Sequence, residues 1–215
     1  MTPELLALSL IILLFSVIIH EVMHGFIALK FGDHTAQAAG RLTLNPIPHI
    51  DPIGTILLPL MSYILPALTG ISPGFLIGWA KPVPVNPLHF TNIRRGELFV
   101  SIAGVGSNFV LALIAAIFYH ITNLFVGYHN LLTPILQFTV SINLMLGVFN
   151  LLPIPPLDGS KVLMSQLSYN LAREYEKISS YGIFIILFLL YFNILGLLLR
   201  FVLIPLHLLL GVPPL

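Results

Sequence analysis

The sequence predicts an all-α integral membrane protein, a polytopic helical bundle with broken helices, and three observations predict it. Of its 215 residues 57% are hydrophobic and only 8% are charged, where a soluble domain keeps roughly a quarter of its residues charged. Between Glu97 and Asp158 lie sixty residues without one Asp, Glu, Lys or Arg. Seventeen prolines and sixteen glycines are too many for uninterrupted rods, and in lipid a broken backbone survives only where protein or a cavity covers it.

Composition also excludes. Nine Lys and Arg against eight Asp and Glu leave a net charge of +1, so there is no basic field to hold nucleic acid. The absence of cysteine removes disulfides, thiolate metal ligands and a thiol nucleophile.

A span needs about 20 apolar residues, and charge spacing marks the candidates. The first runs from Leu5 to Leu29; its acidic start at Glu4 lacks the basic region of a signal peptide, so it is expected to remain in the mature protein. Pro52 to Ala80 is free of charge but interrupted by Pro59, Pro66, Gly70, Pro73 and Gly74, which predicts a re-entrant or hairpin segment. The long uncharged run supplies two spans, with a turn at Gly127-Tyr128-His129-Asn130. The last apolar run, from Ile178 almost to Leu215, predicts one span and a second, short or tilted one broken at Pro205. Residues 1–215 read as a single membrane-embedded domain. Lys81, Arg94 and Arg95, and again Lys161, Arg173 and Lys177, place two loops in the cytoplasm, so the first span runs inward.

Within that first span sits His20-Glu21-Val22-Met23-His24. Ionisable residues in a membrane helix are expensive and mark function. Positions four apart on a helix point the same way, so His20 and His24 can present two imidazoles to one Zn2+ while Glu21 stands near enough to take a proton from water at the metal. The alternative is two core histidines and a buried ion pair. A catalytic zinc takes three protein ligands, and Asp158 is the favoured third: it follows Pro153, Pro155 and Pro156, which break the backbone where the second span of the long run ends. Asp158 could instead cap the helix that follows. His49 and Asp51 are rival ligands, in a loop open to water, or line the entry to the site. If the first span and the one before Asp158 run parallel, all three candidates lie at one depth, which requires 52–80 to return to its own side. His34, His89, His120, His129 and His207 show no partner spacing.

HEVMH in a span, followed by Asn150-Leu-Leu-Pro-Ile-Pro-Pro-Leu-Asp158-Gly159, resembles the site-2 protease family of intramembrane zinc metalloproteases. Gly104-Val105-Gly106-Ser107-Asn108 looks like the family's glycine-rich motif, and Gly78-Trp79-Ala80-Lys81-Pro82-Val83-Pro84-Val85-Asn86-Pro87 is similar to a segment of bacterial members. Val105 stands where the family usually has proline, which removes a kink. The resemblance implies one Zn2+ per chain held by His20, His24 and Asp158, water activation by Glu21, and contacts from Asn108 and Asn150 to the substrate backbone or developing oxyanion; either amide could instead join helices. Gly104 and Gly106 would allow close packing.

The function so implied is hydrolysis of peptide bonds inside transmembrane segments of single-span proteins, in a multi-pass protein of the bacterial cell membrane with its site toward the cytoplasm. Ala39 to Leu44 alternates like a strand and could pair with an unwound substrate. The rival readings are a small transporter or metal conduit using the His and Asp cluster, and an inactive relative that only binds membrane partners. The intact Glu21 argues against the latter.

Overall fold

The computed structural model describes residues 3–58, 60, 61, 64, 79–128 and 130–215. Its helices are α1 (Pro3–Lys30), α2 (Thr35–Ala38), α3 (Ile93–Val126), α4 (Leu132–Asn150), α5 (Asp158–Gln166), α6 (Tyr169–Ile178), α7 (Gly182–Tyr191) and α8 (Ile194–Leu210). No strand occurs among the described residues. Among the described residues three helices are long and apolar enough to cross a membrane, within α1, α3 and α4, and the bent pair Tyr169–Tyr191 and Ile194–Leu210 makes a fourth if it counts as one span. The protein is a multi-pass, all-helical membrane protein.

Each span ends for a local reason. After α1, Gly32 adopts a φ of +101°, a left-handed value that glycine reaches without a Cβ clash, and the Gly32 and Asp33 amides fold back onto the carbonyls of Leu29 and Ala28. Asn92 caps α3 by accepting from the Arg95 amide at 3.0 Å. At the hairpin, α3 stops before Gly127, φ +85°, and Asn130 Oδ1 accepts from the amides of Leu132 and Thr133 to start α4. The unbroken run of α3 through Val105 agrees with the missing proline there.

Hydrogen bonds fix the helix polarities. His20 reaches Asn108 and His24 reaches Val100, so α1 and α3 are antiparallel; Asn108 meets Asn143 and Asn123 meets Thr133, so α3 and α4 are too. Hence α1 and α4 run parallel. Ala112, Ala115 and Ala116 of α3 pack with Val140 and Leu144 of α4 and with Val212 after α8, small residues letting backbones approach where lipid offers no hydrophobic drive. Ile114, Ile117, Phe118 and Ile121 remain exposed, as a lipid-facing surface requires.

The chain from 31 to 92 starts and finishes at one end of the bundle, since the Thr91 amide donates to the Phe31 carbonyl at 2.9 Å. That return is what the re-entrant reading of 52–80 demanded, although most of the segment lies outside the described residues. Its described start, Pro52–Leu57, is a short π-turn capped by Asp51. Residues 39–44 form no strand: Arg41 is buried, with Nη2 donating to the carbonyls of Lys81 (2.6 Å) and Pro82 (3.3 Å). They sew one loop to another, which corrects the expectation of a free edge.

The last apolar run is broken, but not at Pro205, which lies inside α8. The break is at Asn193, φ +57°, where Asn is one of the few residues to tolerate the left-handed region; the two arms meet at 80°. Asn193→Ala should lower stability by about 1 kcal/mol and Asn193→Gly much less. Thermal unfolding in detergent measures the difference.

A second anchor was invisible in the sequence. Asp33 is wholly buried and accepts from Thr35, from the Asn86 amide at 2.7 Å and from His89 Nδ1 at 2.9 Å. Burial would push its carboxyl up, yet these bonds hold it at about 2. Its folded value lies below the unfolded one, so the latch stabilises the loop above about pH 4 and is lost as pH falls toward 2. Asp33→Asn should therefore expose 81–91 to protease at pH 7, while the wild type loses protection only near pH 3. Equal protection of both proteins at pH 7 would reject the latch.

Candidate metal centre

On α1 the spacing of four puts His20 and His24 on one face, with ring centroids 4.5 Å apart. Asp158 comes from the first turn of α5, past the prolines that end α4. Its carboxylate lies against the two imidazoles. Gly159 makes that approach possible, because a Cβ there would strike the Leu151 and Leu152 carbonyl oxygens. Parallel α1 and α4 bring the three residues to one level.

Proton bookkeeping defines what the cluster can hold. His20 Nδ1 is 2.7 Å from Asn108 Oδ1 and His24 Nδ1 is 2.7 Å from the Val100 carbonyl oxygen. Both partners accept, so both Nδ1 atoms carry a proton, and a ring with no second proton is left with a bare lone pair at Nε2. The two Nε2 atoms are 2.9 Å apart and each is 3.1 Å from Asp158 Oδ2. All three side chains are buried, and among the described residues no hydrogen-bond donor reaches Asp158 Oδ2. Three acceptors facing one another without donors repel, and a cation among them removes the conflict. Two imidazole nitrogens and a carboxylate oxygen are a donor set suited to Zn2+.

The cluster forms one wall of a cavity of about 310 Å³, lined also by Glu21, Asn150, Val83, Glu97 and Lys161. Glu21 Oε2 accepts from the Val83 amide at 2.8 Å, so the segment beginning at Lys81 roofs the cavity and orients this carboxylate. Asn150 donates one amide N–H to the Leu146 carbonyl at 3.0 Å, leaving its second N–H for a ligand.

Of the residues singled out in the sequence, His20, Glu21, His24, Asn150 and Asp158 share this cavity. Asn108 does not line it. Fully buried behind His20, it accepts from the imidazole and donates to Asn143 Oδ1 at 3.0 Å, so the expectation of a substrate contact is corrected to that of a support for His20. His49 and Asp51 lie outside the cluster. His49 is buried rather than solvated, with Nε2 donating to the Thr43 carbonyl at 2.9 Å, while Asp51 caps the turn after it. Four of the five histidines without partner spacing have partners: His34 bonds Gln37, His89 Asp33, His120 the Leu210 carbonyl and His207 the Val212 carbonyl, while His129 lies outside the described residues.

The sequence reading passed over Asn143, whose only signal was an amide in mid-span, and the Val83 amide, which no sequence pattern marks. The fit of Gly104 was also hidden, because it exists only after α1 and α3 meet: a Cβ there would drive into both imidazoles, whereas one at Gly106 meets open space.

The family model described as Peptidase family M50 matches residues 120–190. The chain is 36% identical to "Putative zinc metalloprotease YwhC" of Bacillus subtilis over 198 residues, 90% of this chain and 84% of that protein. It is 32% identical to "Putative zinc metalloprotease Rip2" of Mycolicibacterium smegmatis over 82% of this chain and 64% of the relative, and 27% identical to "Zinc metalloprotease MJ0392" of Methanocaldococcus jannaschii over 88% and 44%. It thus spans most of YwhC but less than two thirds of the other two. No solved structure matches the chain. The chain belongs to peptidase family M50, the site-2 proteases. Membership brings Zn2+ as cofactor, a membrane setting, membrane-protein substrates and, at the level of the family, peptidase activity.

Gly104→Ala should weaken zinc retention about tenfold or more, since imidazoles pinned by Asn108 and Val100 cannot yield without leaving the cluster. Gly106→Ala should leave it unchanged. Zinc per chain after dialysis against a chelator reads both.

Proposed function

We propose that this protein is an intramembrane zinc metalloendopeptidase that cuts peptide bonds within the transmembrane segments of single-span substrates, releasing fragments in regulated intramembrane proteolysis. In this reading residues 1–215 act as one catalytic domain of the bacterial cell membrane, with the site toward the cytoplasm. The observation that carries it is the convergence of three lone-pair donors beside Glu21 in one cavity. Lys81, Arg94, Arg95 and Lys161 lie at the same end of the bundle as the cluster, which supports the cytoplasmic orientation.

His20, His24 and Asp158 would hold the ion. Zn2+, when bound, supplies Lewis acidity toward a carbonyl oxygen and toward water. Glu21, fixed by the Val83 amide, accepts the proton of the attacking water and returns it to the leaving amine. Asn150 offers its free amide N–H to the substrate carbonyl as negative charge develops. Asn108 keeps His20 aligned. The roofing segment and the apolar wall around Val85 and Phe90 limit bulk water. A helical substrate hides its carbonyls in its own hydrogen bonds, so Gly, Pro, Asn or Ser near the cut favours cleavage by lowering the cost of unwinding. Among the described residues the cluster stands alone, whereas a conduit would need a series of such groups across the bundle.

Glu21→Gln should keep one zinc per chain and lower hydrolysis of a test span at least about a hundredfold. Asp158→Asn should lose zinc to a chelator and lose activity with the fold intact. Normal turnover by Glu21→Gln, or full zinc occupancy together with full activity in Asp158→Asn, would overturn the respective assignment.

A further inference from the structure

We infer that Asn143 is a positioning residue for the metal centre: acting through Asn108, it decides which nitrogen of His20 carries the proton. The inference rests on the proposed metal-binding role of His20. A buried network joins three helices, from Ser16 on α1 to Asn143 on α4, Asn108 on α3 and back to His20 on α1. Asn143 and Asn108 are wholly buried, and Ser16 and His20 nearly so.

Direction in this network is set at its far end. Asn143 Nδ2 is 2.9 Å from the Thr139 carbonyl oxygen, which can only accept, and 2.9 Å from Ser16 Oγ. Its amide nitrogen is therefore held on that side, and its Oδ1 faces Asn108. Oδ1 can only accept, so Asn108 turns Nδ2 toward it at 3.0 Å and presents its own Oδ1 to His20. The imidazole must then donate from Nδ1, which leaves Nε2 as the lone pair aimed at Asp158 and His24.

One amide alone would not achieve this. The two ends of an asparagine side chain have almost the same shape, so an unsupported Asn108 fits equally well after a half turn. Turned over, it offers an N–H to Nδ1, and the imidazole proton moves to Nε2, the position a metal needs. His24 requires no such relay, because its Nδ1 meets a backbone carbonyl that has no second orientation. Asn143 gives the side-chain support of His20 the same fixed polarity.

The test uses the purified full-length protein in detergent. Asn143→Leu should raise the dissociation constant for Zn2+ about tenfold or more in chelator competition, and nitrogen NMR of 15N-histidine-labelled, metal-stripped protein should show the His20 proton redistributed toward Nε2. Asn143→Asp keeps an acceptor for Asn108 and should retain most of the affinity and the Nδ1 proton. Asn123→Leu is the control, since Asn123 accepts from Thr133 at 2.6 Å between the same two helices at their other end; zinc affinity should not change. If Asn143→Leu does not fold, Asn143→Ala breaks the same bonds with less bulk and is read identically. An unchanged His20 tautomer, or an equal loss of zinc in Asn123→Leu, would reduce Asn143 to helix adhesion and overturn the inference. Failure of the metal assignment itself is separable, because His20→Ala would then leave zinc bound.

Discussion

Three lone pairs pointed at one another in an apolar bundle are the constraint around which the rest of this protein is arranged. Without a cation, His20, His24 and Asp158 repel, and each pays for its burial with no donor in return. Such a cluster persists only if the scaffold leaves its members nowhere else to go. Asn108 and the Val100 carbonyl bind the backs of the two rings, Gly104 lies beneath them, and Gly159 lets the chain pass close enough over α4 to bring in Asp158.

The helix directions follow from the same requirement. Two parallel helices must bring His20 and His24 of α1 and Asp158, which follows α4, to one depth, and an antiparallel α3 must run between them to carry the supporting amide. A chain with that order has to bring residues 31–92 back to the side they left. Short polar bonds among Phe31, Asp33, Asn86, His89 and Thr91 close that return. The loop so tied down carries Val83 to Glu21, which connects architecture to chemistry through one amide.

What could be read in the sequence was what local spacing encodes. HEVMH carries its helical periodicity within five residues, and the prolines before Asp158 announce a break without any partner. The parallel arrangement of the first span and the one before Asp158 followed from charge placement, from the shortness of 52–80 and from the need to bring three candidate ligands to one depth. What could not be read depended on contacts far apart in the chain: nothing local decides whether Asn108 faces substrate or joins helices, because both its amide ends are taken by residues on other helices. The buried state of His49 and the latch at Asp33 were hidden for the same reason. Pro205 misled because a proline within a helix is only a candidate break, whereas the left-handed conformation of Asn193 is enforced by the packing of α7 and α8 around Leu195 and Ile186.

The length of α3 serves as a ruler for the depth of the chemistry. Val100, whose carbonyl holds His24, lies twenty-six residues before the last residue of the helix, Val126, or about 39 Å along its axis at 1.5 Å per residue. A hydrocarbon layer is about 30 Å thick, and a tilt near 20° shortens the projection by only a few ångströms. With the apolar end Leu124-Phe125-Val126 at one face of the layer, His24 stands at the headgroups of the other. Under the proposed function, hydrolysis at that level would draw its water from the interface and would require no aqueous channel through the bilayer.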